Sequence, residues 1–128
     1  KILANMLKKM GAYVTVCARN EKELAYAEVL GFGVKNIGCL SDLSEFDIIF
    51  NTVPITVLKN DVLATTKKDV LLIELASKPY GIDANGAEKL NRKLLVASGL
   101  PGKVAPKTAG KILCDVILDI LGGIENGT

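Results

Sequence analysis

The run DVLLIEL, residues 69–75, opens on Asp69 and is then apolar on both alternating faces of an extended chain up to Glu74. A strand with one wet face alternates polar and apolar side chains, whereas a strand covered on both faces does not. This segment therefore predicts a buried parallel strand that other elements must cover from two sides. Its neighbours in the chain fit that demand. The runs AYVTVCA at 12–18, DIIFNT at 47–52 and LLVA at 94–97 read as further strands, with a weaker one at 34–37. Between them lie helical patterns. Ile2, Leu3, Met6, Leu7 and Met10 form an i, i+3/i+4 stripe that Gly11 ends, and Asn20 with Glu23 marks the start of a helix that stops at Gly31. A short turn at 41–45, a short helix at 58–65, another at 85–91 and a final apolar helix opening near Thr108 complete the series. All four prolines, Pro54, Pro79, Pro101 and Pro106, fall in connections.

Alternating strands and helices predict an α/β fold, a doubly wound Rossmann-like parallel sheet with its ligand crevice at the carboxyl ends of the strands. The loops to watch follow the strands, at 18–20, 52–57, 76–83 and 98–108. Such a domain ordinarily begins with a strand and a glycine-rich turn, and this chain begins inside a helix. The expectation is a single, partial dinucleotide-binding domain over 1–128, lacking the first strand and the glycine-rich loop, and incompletely stabilised without them.

Composition narrows the function. A chain of 128 residues with 49% hydrophobic and 23% charged side chains describes one globular domain with an ample core. A net charge of +2, with no basic run longer than a pair, argues against nucleic acid or an anionic membrane as partner and leaves small anions open. Cys17, Cys39 and Cys114 are odd in number and widely spaced, which fits reduced thiols in the cytoplasm better than a disulfide frame or a zinc knuckle. No apolar run reaches the roughly 18 residues of a membrane span. The chain has no histidine, so an imidazole acid/base is excluded, and no Ser/His/Asp or Cys/His set is present. Asp83, Glu74, Tyr80 and Lys107 are the local groups left for proton transfer, and none of them stands out as the catalytic acid.

Three stretches carry a more specific signal: NTVPITVLKNDVL, IELASKPYGID and GLPGKVAPKTAGKILCDV. Together they resemble the A-subunit family of dipicolinate synthase, whose C-terminal half is a nucleotide-binding domain related to the 2-hydroxyacid dehydrogenases. The resemblance covers nearly the whole chain and places the family's glycine-rich motif just before Lys1. It implies an NAD(P)-dependent oxidoreductase of sporulation that, with a separate B subunit, forms pyridine-2,6-dicarboxylate from a dihydrodipicolinate precursor. A homo-oligomer is compatible with it. A non-catalytic nucleotide-binding or regulatory module, and a shikimate-type NADP dehydrogenase domain, are the competing functions.

Candidate site residues follow from the strand ends. Arg19, with Asn20, stands where an acidic residue would bond the ribose of NAD, so a guanidinium there favours the 2′-phosphate of NADP over NAD; a solvated surface arginine is the competing reading. Asn51, Thr52, Val53 and Pro54 leave polar groups at the crevice for the cofactor, or merely satisfy their own loop. Ala76 and Ser77 are small enough for close approach to a flat ring. Lys78 is either a substrate-binding cation or a surface lysine. Lys103, Lys107 and Thr108 surround a helix start held by two prolines, an arrangement for a substrate carboxylate. The bland alternative is a stiff connection with solvated lysines, although a cation at that end of a helix is unfavourable without an anion.

Overall fold

The computed structural model describes residues 2–97, which fall into two compact units divided after Asn36. The first holds α1 (Ile2–Lys9), β1 (Thr15–Ala18), α2 (Glu21–Val29) and β2 (Gly33–Asn36). β1 and β2 pair in parallel, Thr15 opposite Gly33 through Ala18 opposite Asn36. The Asn20 side chain accepts from the Lys22 amide and starts α2, and Gly31, at φ +90°, ends it. Leu24 and Ala27, three residues apart and so on one face of the helix, are buried. Lys8 ties the two helices together. Its Nζ donates to the Leu30 carbonyl at 2.6 Å, near the last turn of α2 where carbonyls lack helical partners, and it sits 5.1 Å from the centre of the Phe32 ring.

The second unit contains a 3-10 turn (Ile37–Cys39), β3 (Ile48–Asn51), α3 (Asn60–Leu63), β4 (Leu71–Glu74), α4 (Ala84–Lys89) and β5 (Lys93–Val96). Its sheet has the order β3-β4-β5, all parallel, with Asn51 opposite Glu74 and Glu74 opposite Val96. Among the described strands only β4 has a neighbour on both sides, and all four of its residues are buried. This is the strand whose sequence is apolar on both faces. Leu72 joins a core with Leu43, Leu58, Leu63, Val70, Ile82 and Ala87, while Leu71 and Ile73 alternate to the other face and are also buried.

Two boundaries differ from the sequence reading for identifiable reasons. The helix expected at 58–65 is only Asn60–Leu63, because Leu58 forms a parallel bridge with Ile82. At its other end the Thr65 and Thr66 hydroxyls donate to the Val62 and Leu63 carbonyls and close the last turn. The helix expected at 85–91 begins at Ala84, because the Asp83 carboxylate accepts from the Gly86 amide and caps it. Asn91, at φ 56°, lies beyond its end, and Arg92 braces the turn after α3 through the Thr66 hydroxyl and carbonyl.

Truncation of the fully buried Leu72 leaves a void in the middle of β4. Leu72→Ala should lower unfolding stability by about 2–5 kcal/mol, read in urea titrations as a lower midpoint with an unchanged slope.

Candidate functional site

The carboxyl ends of β3 and β4 carry two polar residues in direct register, Asn51 and Glu74, exposed by only 4% and 1%. A buried carboxylate is costly unless its oxygens find donors. Glu74 finds four. Oε1 accepts from the amides of Gly81 at 2.6 Å and Ile82 at 2.8 Å, and Oε2 accepts from Asn51 Nδ2 at 2.6 Å and the Ala76 amide at 3.2 Å. Asn51 is equally committed: its Nδ2 also donates to the Val53 carbonyl, and its Oδ1 accepts from the Val53 amide at 3.4 Å. Glu74 thus reaches forward to the loop after its own strand and, through Asn51, sideways to the loop after β3.

Those two loops are also joined by backbone. The amides of Val57 and Leu58 both donate to the Gly81 carbonyl, and the Asp83 amide donates to the Leu58 carbonyl at 3.0 Å, which gives the Leu58–Ile82 bridge. Between Glu74 and this bridge the chain turns through Ser77–Tyr80, with a Tyr80 to Ser77 backbone bond, a cis Lys78–Pro79 peptide and Tyr80 at φ 65°. Gly81 packs against Asn51 so closely that a Cβ at that position would overlap the Asn51 amide group. Glycine is required there by contact with a neighbour.

The outcome is one two-loop surface at the end of the sheet. Thr52 and Pro54 are exposed on the first loop, Ser77, Lys78 and Pro79 on the second, with Val53 and Tyr80 half-buried and Ala76 buried beneath. The structure therefore brings Asn51, Thr52, Val53 and Pro54 together with Ala76, Ser77 and Lys78. Arg19 and Asn20 lie in the first unit, where Arg19 is exposed after β1 and the Asn20 oxygen is used as the cap of α2. Lys103, Lys107 and Thr108, and the helix start they were assigned to, lie outside the described residues. Two of the groups considered for proton transfer are otherwise engaged: both Glu74 oxygens are filled by N–H donors, and Asp83 caps α4. The hub role of Glu74 was missed by sequence reasoning. Its signal was a lone carboxylate in a strand that is otherwise apolar.

No protein-family profile matches the chain. The A subunit of dipicolinate synthase from Bacillus subtilis is 39% identical over 124 residues, a match that takes in 96% of this chain and 42% of that protein. A crystal structure of the dipicolinate synthase A subunit from Bacillus halodurans superposes with a TM-score of 0.74 at 41% identity, over 92% of this chain and 41% of the other. The A chain of dipicolinate synthase from Bacillus subtilis does so with a TM-score of 0.74 at 38% identity, over 98% and 42%. The likeness covers nearly all of this chain and about two-fifths of each relative, and it makes the fold Rossmann-like. Among the described residues no helix is long and apolar enough to cross a membrane.

The Gly81 contact gives a direct test of the two-loop geometry. Gly81→Ala should push the Asn51 amide off Glu74 and cost about 1–3 kcal/mol, the usual range for overpacking, measured by thermal or urea unfolding.

Proposed function

Because the chain is homologous to the dipicolinate synthase A subunit over 96% of its own length, we propose that it forms a dinucleotide-binding region of an NAD(P)-dependent oxidoreductase that produces dipicolinate. The observation that carries this reading is the hydrogen-bonded two-loop surface at the carboxyl ends of β3 and β4, where Rossmann-like folds bind their ligands. Its residues fit a nicotinamide nucleotide. Ala76 is small and buried at the turn, Thr52 and Ser77 expose hydroxyls for ribose or amide groups, and backbone bonds hold the surface in shape before binding. The nucleotide would accept a hydride from a dihydropyridine dicarboxylate, whose ring becomes aromatic with loss of one proton.

Arg19 is assigned to the 2′-phosphate, because a guanidinium matches phosphate geometry and an arginine, not an acidic residue, immediately follows β1. Lys103, Lys107 and Thr108, with Lys78, are assigned to the substrate carboxylates. Partnership with the B subunit, cytoplasmic location and a role in sporulation belong to the same proposal. A second reading, a nucleotide-binding regulatory module, draws support from one observation: both oxygens of Glu74 are occupied by N–H donors, and one oxygen of Asp83 caps α4.

Nicotinamide absorbance on adding dihydrodipicolinate to the intact protein separates the two. Reduction of NADP⁺ with turnover supports the oxidoreductase, whereas nucleotide binding without reduction, with the B subunit present, favours the regulatory module. Arg19→Asp should weaken NADP by about tenfold or more, equivalent to ~1.4 kcal/mol, and leave NAD within about twofold, as measured by titrating both. Lys107→Ala and Thr108→Val should raise the substrate KM by about tenfold or more while NADP Kd barely moves. Wild-type kinetics in both variants would remove the substrate assignment.

A further inference from the structure

A carboxylate that holds two loops by accepting from both does something that its bulk alone does not. Glu74 has four donors around it, drawn from Asn51 in β3, Ala76 just beyond β4, and Gly81 and Ile82 at the far side of the turn. Remove its acceptor pattern and the amides of Ala76, Gly81 and Ile82 become buried donors with nothing to bond, while Asn51 Nδ2 keeps only the Val53 carbonyl. An unmade buried hydrogen bond is more costly than a made one is favourable, so the loops would have to move to find other acceptors. The surface that moves is the one bearing Thr52, Pro54, Ser77 and Lys78.

We infer that Glu74 is a positioning residue for this surface: acting through Asn51 and the amides of Ala76, Gly81 and Ile82, it fixes both loops as one unit and thereby sets the affinity for a nicotinamide nucleotide. The affinity part rests on the nucleotide-binding reading above; the coupling of the two loops does not. The inference is specific about polarity. In Glu74→Gln, a substitution of equal size, an NH₂ group must face either Asn51 Nδ2 and the Ala76 amide or the Gly81 and Ile82 amides, donor against donor. In Asn51→Asp, a carboxylate oxygen is set against Glu74 Oε2 at a position now spanned by a 2.6 Å hydrogen bond. Combining the two changes reverses the direction of the bond. The introduced glutamine then donates to the introduced aspartate and keeps its oxygen for Gly81 and Ile82, which restores three of the four contacts at position 74 and gives up the one to Ala76 and the bond from position 51 to the Val53 carbonyl.

The experiment uses the intact protein with Glu74→Gln, Asn51→Asp and the double variant, and reads two quantities. One is residue-resolved amide exchange at Gly81 and Ile82; the other is the Kd of NADPH by fluorescence titration. Each single variant should speed exchange at both amides and raise Kd by about tenfold or more, and the double variant should recover at least half of each change on a logarithmic scale. A residue that only fills space predicts a neutral Glu74→Gln and strictly additive effects in the double variant, and either result overturns the inference. If the wild-type protein binds neither NADPH nor NADH, the nucleotide reading fails and the affinity part with it, while the exchange measurements still decide the coupling. Should Glu74→Gln not fold, Asn51→Ser is read in the same two ways, and unchanged exchange at Gly81 and Ile82 overturns the coupling.

Discussion

A buried carboxylate ends the central strand of the second unit, and the polar architecture around it depends on how that carboxylate is satisfied. Taking Glu74 out of water carries a desolvation cost of several kcal/mol, which only well-aimed donors can offset. The four N–H groups that meet it supply that compensation, three from backbone and one from Asn51. The dependence runs both ways. Those amides belong to a turn that leaves the sheet, and without an acceptor at the end of β4 they would be buried with no strand to pair with. No buried side-chain nitrogen or oxygen among the described residues lacks a partner.

This gives β4 two separate tasks along four residues. Leu72 and its neighbours supply apolar burial that holds the sheet to its covering layer, which is non-directional and tolerant of small shifts. Glu74 supplies directional bonds that fix the loops to within a hydrogen bond's tolerance. A ligand surface built on loops ordinarily loses affinity to the ordering of those loops on binding. Under the proposed nucleotide-binding reading, the Leu58–Ile82 bridge and the Glu74 contacts would carry out that ordering in the free protein, with Thr52 and Ser77 exposed on the loops they join.

What the sequence revealed and concealed separates along the same line. β4 was legible because burial on both faces writes itself into consecutive residues, and the Gly31 and Asn20 boundaries of α2 were legible because caps are local chemistry. The start of α3 was misplaced because Leu58 bonds to residues more than twenty positions away, and a parallel bridge leaves no periodicity in either partner. Asn51, Thr52, Val53, Pro54, Ala76, Ser77 and Lys78 were singled out because strand ends in this topology meet at one edge, which is a rule of connectivity. The function of Asn51 as an internal tie was not legible. An asparagine at a strand end reads the same whether its amide faces a ligand or the carboxylate across the ladder.

The orientation of Asn51 shows how three separated positions constrain one another. Its amide nitrogen must face Glu74, since an oxygen there would oppose the carboxylate, and that choice turns Oδ1 toward the Val53 amide. The direction of the loop after β3 is therefore decided by a residue of β4. The same amide group occupies the space that a side chain at position 81 would need, so glycine there follows from asparagine at 51, just as asparagine follows from glutamate at 74. Gly81 in turn places its N–H on Glu74 and its carbonyl on the amides of Val57 and Leu58, which closes the circuit back to the first loop. In such a closed circuit any one residue can be replaced only by changing its partners, and that is the physical reason to expect strong non-additivity among these positions and little at the exposed Ser77 and Lys78 beside them.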